Sequence, residues 1–119
     1  MGEFPLRDRT KGLALRIIKL VNSLPQDDVG RVIGRQLLRC GTSVGANYRA
    51  SMRAKSPADM VNKLKIVEEE ADETIYWLEL LVDSHLIAEA KLKPLMVEVN
   101  EILAMTVASI KTIRSNKNA

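Results

Sequence analysis

The sequence has one cysteine, Cys40, and one histidine, His85, in 119 residues. A lone cysteine excludes an intramolecular disulfide, and a single Cys with a single His cannot supply the ligand clusters of a zinc site. Aromatic residues make up only 3% of the chain, so side chains on which nucleic-acid bases could stack are in short supply. Gly and Pro are few, at six and four, which leaves room for long uninterrupted helices. No stretch reaches the roughly 18 consecutive apolar residues of a membrane span, and the N-terminus has no hydrophobic leader core. No run alternates apolar and polar residues with the period of two that a half-buried strand needs. These absences predict a soluble, reduced, cytoplasmic protein without sheet.

What is present is Leu, Ile, Val and Ala at helical spacing, within a hydrophobic fraction of 46% and a charged fraction of 28%. The length suits one domain, residues 1–119, with a core of its own. A first helix is expected over about 7–23, because Leu13, Ile17, Leu20, Val21 and Leu24 recur at i, i+4, i+7 and Pro25 closes the run. A second is expected over 28–53, opened by Asp27 or Asp28 as a cap. Ser56-Pro57-Ala58-Asp59 then places a capping serine, a first-turn proline and an acid in order, predicting a third helix over 57–84. A fourth is expected over 91–113, its start falling between Glu89 and Lys93, with Pro94 in its first turn and the polar stretch from Arg114 outside it. Such short connections force neighbouring helices antiparallel, so the fold class is all-α, an up-down-up-down four-helix bundle.

The faces of the second helix are distinct when its residues are placed about 100° apart. Ile33, Leu37, Cys40, Val44 and Tyr48 form a core stripe, on which Cys40 reads as a small buried apolar residue. Arg31, Arg35, Arg39, Arg49 and Arg53 share an arc of about 80° on the opposite side, and no acid is expected among them. The net charge is only +3, from 18 Lys plus Arg against 15 Asp plus Glu, so this clustering matters more than the total. Charge runs are usually solvated faces neutralised by a neighbouring helix. Arginine forks, however, match phosphate oxygens without reading sequence, and the clustering favours a polyanion contact, electrostatic and salt-sensitive. Gly30, Gly34, Gly41 and Gly45 lie together on a third face. Each costs about 1 kcal/mol against alanine within a helix, so another helix, from this chain or a second copy, is expected to approach closely there.

The third helix has more apolar surface than one core needs. Its inner stripe is Met60, Leu64, Val67, Ala71, Ile75, Leu78 and Val82, while Ile66, Trp77, Leu80 and Leu81 lie off it. In a lone bundle Trp77 is expected largely in water, and an exposed apolar group rimmed by charge marks an interface. Self-association through Ile66, Trp77, Leu80 and Leu81 follows, with Trp77 as anchor. The acidic block Glu68, Glu69, Glu70, Asp72 and Glu73 lacks the Glu-x-x-His pairs of a carboxylate-bridged metal centre. Glu69, Asp72 and Glu73 read instead as partners for arginines of helix 2 or of another subunit. Thr42, Ser43 and Asn47 are expected to hydrogen-bond across the bundle. No nucleophile with its base, no phosphate loop, no metal site and no cofactor site emerges, and a non-enzymatic protein is expected.

Gln36-Leu37-Leu38-Arg39, with Thr42 to Ala50 reading TSVGANYRA, resembles the helix 2 motif of the four-helix-bundle proteins also called 23S rRNA intervening-sequence proteins. Lys63 to Thr74, reading KLKIVEEEADET, followed by YWLELL from Tyr76, resembles their helix 3 motif. Gln36, Arg39, Ser43 and Asn47 occupy the characteristic helix 2 positions, and Glu70, Glu73 and Trp77 those of helix 3. Many members continue after the asparagine with a glutamate and a glycine where this chain has Ala50 and Ser51, so no role of that glutamate carries over. The resemblance implies a ring-forming bundle, typically a homopentamer, encoded within insertions of bacterial 23S rRNA genes or standing alone. It also implies kinship with the accessory protein of diversity-generating retroelements, which binds nucleic acid beside a reverse transcriptase. The expectation is therefore an oligomer that binds RNA or DNA through the arginine ridge, with Arg7, Arg9, Lys11 and Arg16 of helix 1 adding to it. A retroelement or rRNA-insertion accessory role would follow. The rival is a protein-interaction scaffold whose arginines pair between subunits or with a protein partner.

Overall fold

In a computed structural model describing residues 5–118, four helices follow one another with no strand between them: α1 (Pro5–Asn22), α2 (Asp28–Met52), α3 (Pro57–Asp83) and α4 (Glu89–Asn118). Residues 1–4 and Ala119, the ends of the expected 1–119 domain, lie outside the described residues. The bundle measures 52 × 24 × 23 Å. Each helix packs on its sequence neighbours, and α1 meets α4 only lightly.

The local chemistry explains each boundary. Pro5 opens α1 two residues earlier than periodicity suggested, because a proline at the first helical position loses no hydrogen bond. The Asp27 carboxylate caps α2 by accepting from Gly30 N–H at 2.8 Å, and the Ser56 hydroxyl caps α3 by accepting from Asp59 N–H at 3.1 Å. α3 ends at Asp83, one residue short of the expected 84, by a device that periodicity does not show. His85 adopts φ of 63°, its N–H donates to the Val82 carbonyl at 3.0 Å, and Leu86 N–H reaches back to Leu81 at 3.1 Å. This is the pairing that terminates helices on a left-handed residue, a place usually taken by glycine.

The end of the fourth helix needs correction. The helix begins at Glu89, the early limit of the Glu89–Lys93 range expected for its start, and continues to Asn118 rather than ending near 113. Loss of apolar periodicity does not end a helix; only a breaker or a cap does, and residues 114–118 contain no Gly or Pro. Pro94 accordingly falls in the second turn. It removes a bond to the carbonyl of Ala90, which lies on the exposed side of the helix.

The core is a column of aliphatic side chains: Leu13 and Ile17 from α1, Leu37 and Val44 from α2, Val67 and Leu78 from α3, Val99 and Ile102 from α4. Burying each contributes about 1.5–3 kcal/mol. The buried hydroxyls Thr10, Ser51, Thr74 and Thr106 all donate to carbonyls of their own helices, so none is left unpaired. The glycine face of α2 lies against α1. Gly34 meets Val21, Gly41 meets Ile17 and Gly45 meets Thr10, and this opposed numbering makes the pair antiparallel. A Cβ on Gly41 would stand 2.8 Å from Ile17 Cγ1, so close approach within the chain is what offsets the glycine cost.

The third helix also departs from its reading. Leu81 is fully buried in the core, not part of an outer patch. Trp77 is half-buried against the core, with its indole N–H donating to Glu73 at 3.0 Å and Tyr76 edge-on at 5.1 Å. Leu80 is half-buried too, and only Ile66 of the four off-stripe residues is exposed. The wide α2–α3 contact draws these side chains inward. Thr42, Ser43 and Asn47 do not bridge the bundle. The Thr42 hydroxyl donates to the Leu38 carbonyl, and the Asn47 amide donates to Ser43, one turn back on the same helix.

Candidate nucleic-acid interface

All five arginines of the ridge are exposed, yet they are not equivalent. Arg39 turns toward α3, where its guanidinium pairs with Glu70 at 3.2 Å and with Glu73, while its Nε–H donates to Gln36. The Trp77 indole and then Arg39 hold the Glu73 carboxyl below its usual range. Gln36, Arg39, Glu70, Glu73 and Trp77 thus form one connected network across α2 and α3. These are five of the seven positions that the family motif singles out; Ser43 and Asn47, the other two, bond to each other. Of the acids expected to pair with arginines of α2 or of another subunit, Glu73 pairs with Arg39 and Glu70 joins it, while Glu69 and Asp72 pair with no arginine among the described residues of this chain.

The remaining arginines are freer. Asp28, in the first turn, shares the ridge's arc, which corrects the expectation that no acid stands there. Its approach to Arg31 is loose, at 3.9 Å, with both side chains in solvent. Arg35, Arg49 and Arg53 make no ion pair among the described residues.

The α1–α2 contact adds what a single wheel does not show. Because Gly45 seats against Thr10, the first turns of α1 lie beside the last turns of α2. Arg7 and Lys11 therefore face Arg49 and Arg53 across a shallow cleft of about 250 Å³, floored by Ala14, Gly45 and Ala46 and extended by a smaller hollow of about 160 Å³ beside Met52. Among the described residues no acid lines either part; Asp8, next to Arg7 in sequence, stays out of the cleft. Of the four α1 cations expected to add to the ridge, Arg7 and Lys11 line this cleft. Arg9, grouped with them beforehand, points the other way. Its guanidinium clamps Glu98 and Glu101 of α4, each at 2.6 Å, which raises its own pKa and holds Glu98 below the usual carboxylate range. Arg16 acts on Glu98 from the same side, so neither joins the cleft.

The chemistry available here is anion binding. Four cations converge on a concave surface with small residues at its floor, so phosphate oxygens can approach the backbone closely. Among the described residues no aromatic side chain is placed to stack on a base there, since Tyr48 is buried and Tyr76 and Trp77 lie on α3; Phe4 lies outside the described residues. Cys40 is fully buried beside Thr74, and burial pushes its thiol up, away from the nucleophilic thiolate. Among the described residues no three His, Cys, Asp or Glu side chains are grouped as a metal site, and no helix is long and apolar enough to cross a membrane.

A family model described as 23S rRNA-intervening sequence protein matches residues 4–108. A crystal structure from Bacteroides thetaiotaomicron VPI-5482, titled as a protein of unknown function from the S23 ribosomal protein family, superposes with a TM-score of 0.84. Its identity to this chain is 38%, and the match covers 89% of this chain and 98% of that one. No curated protein matches.

Proposed function

The chain belongs to the family of 23S rRNA-intervening sequence proteins, and from that premise we propose that it binds RNA or DNA without acting on it chemically. The observation that carries this reading is the cleft in which Arg7, Lys11, Arg49 and Arg53 converge with no acid among its described lining residues. Contact there is electrostatic and tolerant of sequence. The working form is a homo-oligomer, a pentamer by family resemblance, in a reducing cytoplasm. A retroelement or rRNA insertion is the natural genetic setting, and a reverse transcriptase the natural protein partner.

The test is binding of mixed-sequence RNA by fluorescence anisotropy. Affinity is expected to fall steeply as salt rises, with one counterion released for nearly every phosphate neutralised. Replacing Arg35 and Arg49 together by glutamate is expected to abolish binding while leaving the helical circular dichroism unchanged, since both side chains are exposed. Retained binding in that variant removes the ridge from the mechanism.

A second reading is favoured by one observation, the segregation of charge. On α1, Arg7, Arg9, Lys11, Arg16 and Lys19 face only one acid, Asp8, whereas α3 carries eight acids against Lys63 and Lys65. A scaffold that docks the basic edge of one protomer onto an acidic surface, of a second copy or of a protein partner, would use the same arginines. Binding to acidic protein but not to RNA at equal ionic strength selects that reading.

A further inference from the structure

The cations of the ridge fall into two groups with an uncharged interval between them. Arg31 and Arg35 stand at the beginning of α2. Arg49 and Arg53 stand at its end, where Arg7 and Lys11 reinforce them. Between the groups the same arc holds Thr42 and Ala46, with Leu38, 40% exposed, just off its edge, while Arg39 is drawn onto Glu70 and Glu73. α2 runs unbroken from Asp28 to Met52, so the separation is fixed by a rigid rod. At 1.5 Å per residue, the groups lie about 21 Å apart at their facing members, Arg35 and Arg49, and about 33 Å apart at their outermost, Arg31 and Arg53. A double helix presents the same strand again after one turn, about 34–36 Å.

We infer that the polyanion is a double helix lying along α2 and held at two points one turn apart, with the uncharged interval facing the groove between them. This rests on the nucleic-acid reading above and adds the form of the partner. A single strand calls for a continuous cationic track with aromatic platforms for its bases; here the track is interrupted, and among the described residues no aromatic side chain lies along it. A duplex needs neither, because its phosphates return periodically and its bases stay stacked.

Fluorescence anisotropy with the full chain distinguishes the possibilities, using a mixed-sequence duplex of about 5 base pairs closed by a hairpin loop, one of about 16 base pairs, and a single strand with as many phosphates as the longer duplex. The shorter duplex, about 17 Å long, cannot span even the facing members of the two groups, Arg35 and Arg49, about 21 Å apart along α2. The longer duplex is expected to bind at least tenfold more tightly than the single strand or the shorter duplex. An Arg31→Ala, Arg35→Ala variant is expected to lose affinity for the longer duplex and keep that for the shorter. RNA and DNA arms identify the backbone. Equal or tighter binding of the single strand, or no step between the duplex lengths, overturns the two-point duplex and leaves nucleic-acid binding standing. Absence of binding to every probe at low salt overturns both.

Discussion

At the scale of single residues, position in the bundle decides what each side chain can do. Gly12 and Gly41 sit in neighbouring helices, and sequence gives no reason to rank them. A Cβ at Gly12 would meet nothing within 4 Å, whereas at Gly41 it would press on Ile17. Gly12→Ala is therefore expected to stabilise by about 0.5–1 kcal/mol through lost unfolded-state freedom. Gly41→Ala is expected to destabilise by about 1–3 kcal/mol through overpacking, and urea denaturation of the two variants checks both signs. Arg9 offers a pH-dependent counterpart. The pKa of Glu98 is lower in the folded chain than in the unfolded one, so its pairing with Arg9 stabilises fully above the unfolded value, about pH 4.3, and fades as pH falls through the depressed folded value. Arg9→Ala is expected to cost about 1 kcal/mol at neutral pH, the gap to the parent closing in thermal melts below about pH 4. A gap of constant size across that range would assign the effect to packing.

At the scale of helices, the ends carry the information that periodicity leaves out. The α3 terminus uses His85 in a left-handed conformation, which costs a residue with a Cβ about 1–2 kcal/mol. His85→Gly is expected to raise stability by up to about 1 kcal/mol, less than the full relief because glycine loosens the unfolded chain. Equal or lower stability in a thermal melt would show that the imidazole makes a compensating contribution. The glycines of α2 act at the same scale. By letting α1 approach, they bring the first turns of one helix beside the last turns of the other, and this converts a ridge on one helix into a cleft between two.

At the scale of the whole molecule, charge and apolar exposure are unevenly distributed. The basic edge of α1 and α2 is distinct from the acidic α3, which repels a polyanion from the wrong side and orients its approach. Val29 and Val32 on α2 and Ile66 on α3 remain exposed, at 53%, 54% and 38%, and the α2–α3 side is where Trp77 is half-buried. If this region builds the assembly, Ile66→Asp is expected to lower the subunit count measured by size-exclusion chromatography with light scattering. An unchanged count would place the contact elsewhere. The same experiment on Trp77→Ala is less clean, because that indole also anchors the Arg39 network through Glu73.

Periodicity, caps and breakers determined the four helices, their order, the α2 core stripe and the class of fold, because these depend on neighbours a few residues apart. Pro25, Asp27, Ser56 and Pro57 are local signals read by local chemistry. The wheel of α2 also placed five arginines on one arc. Only the tertiary structure decided which of them are free, since Arg39 is claimed by carboxylates more than thirty residues away and Arg9 by ones about ninety away. It likewise brought Leu81 into the core and set Arg7 and Lys11 opposite Arg49 and Arg53. The register between two helices is a property of their packed faces, and no spacing within either helix encodes it.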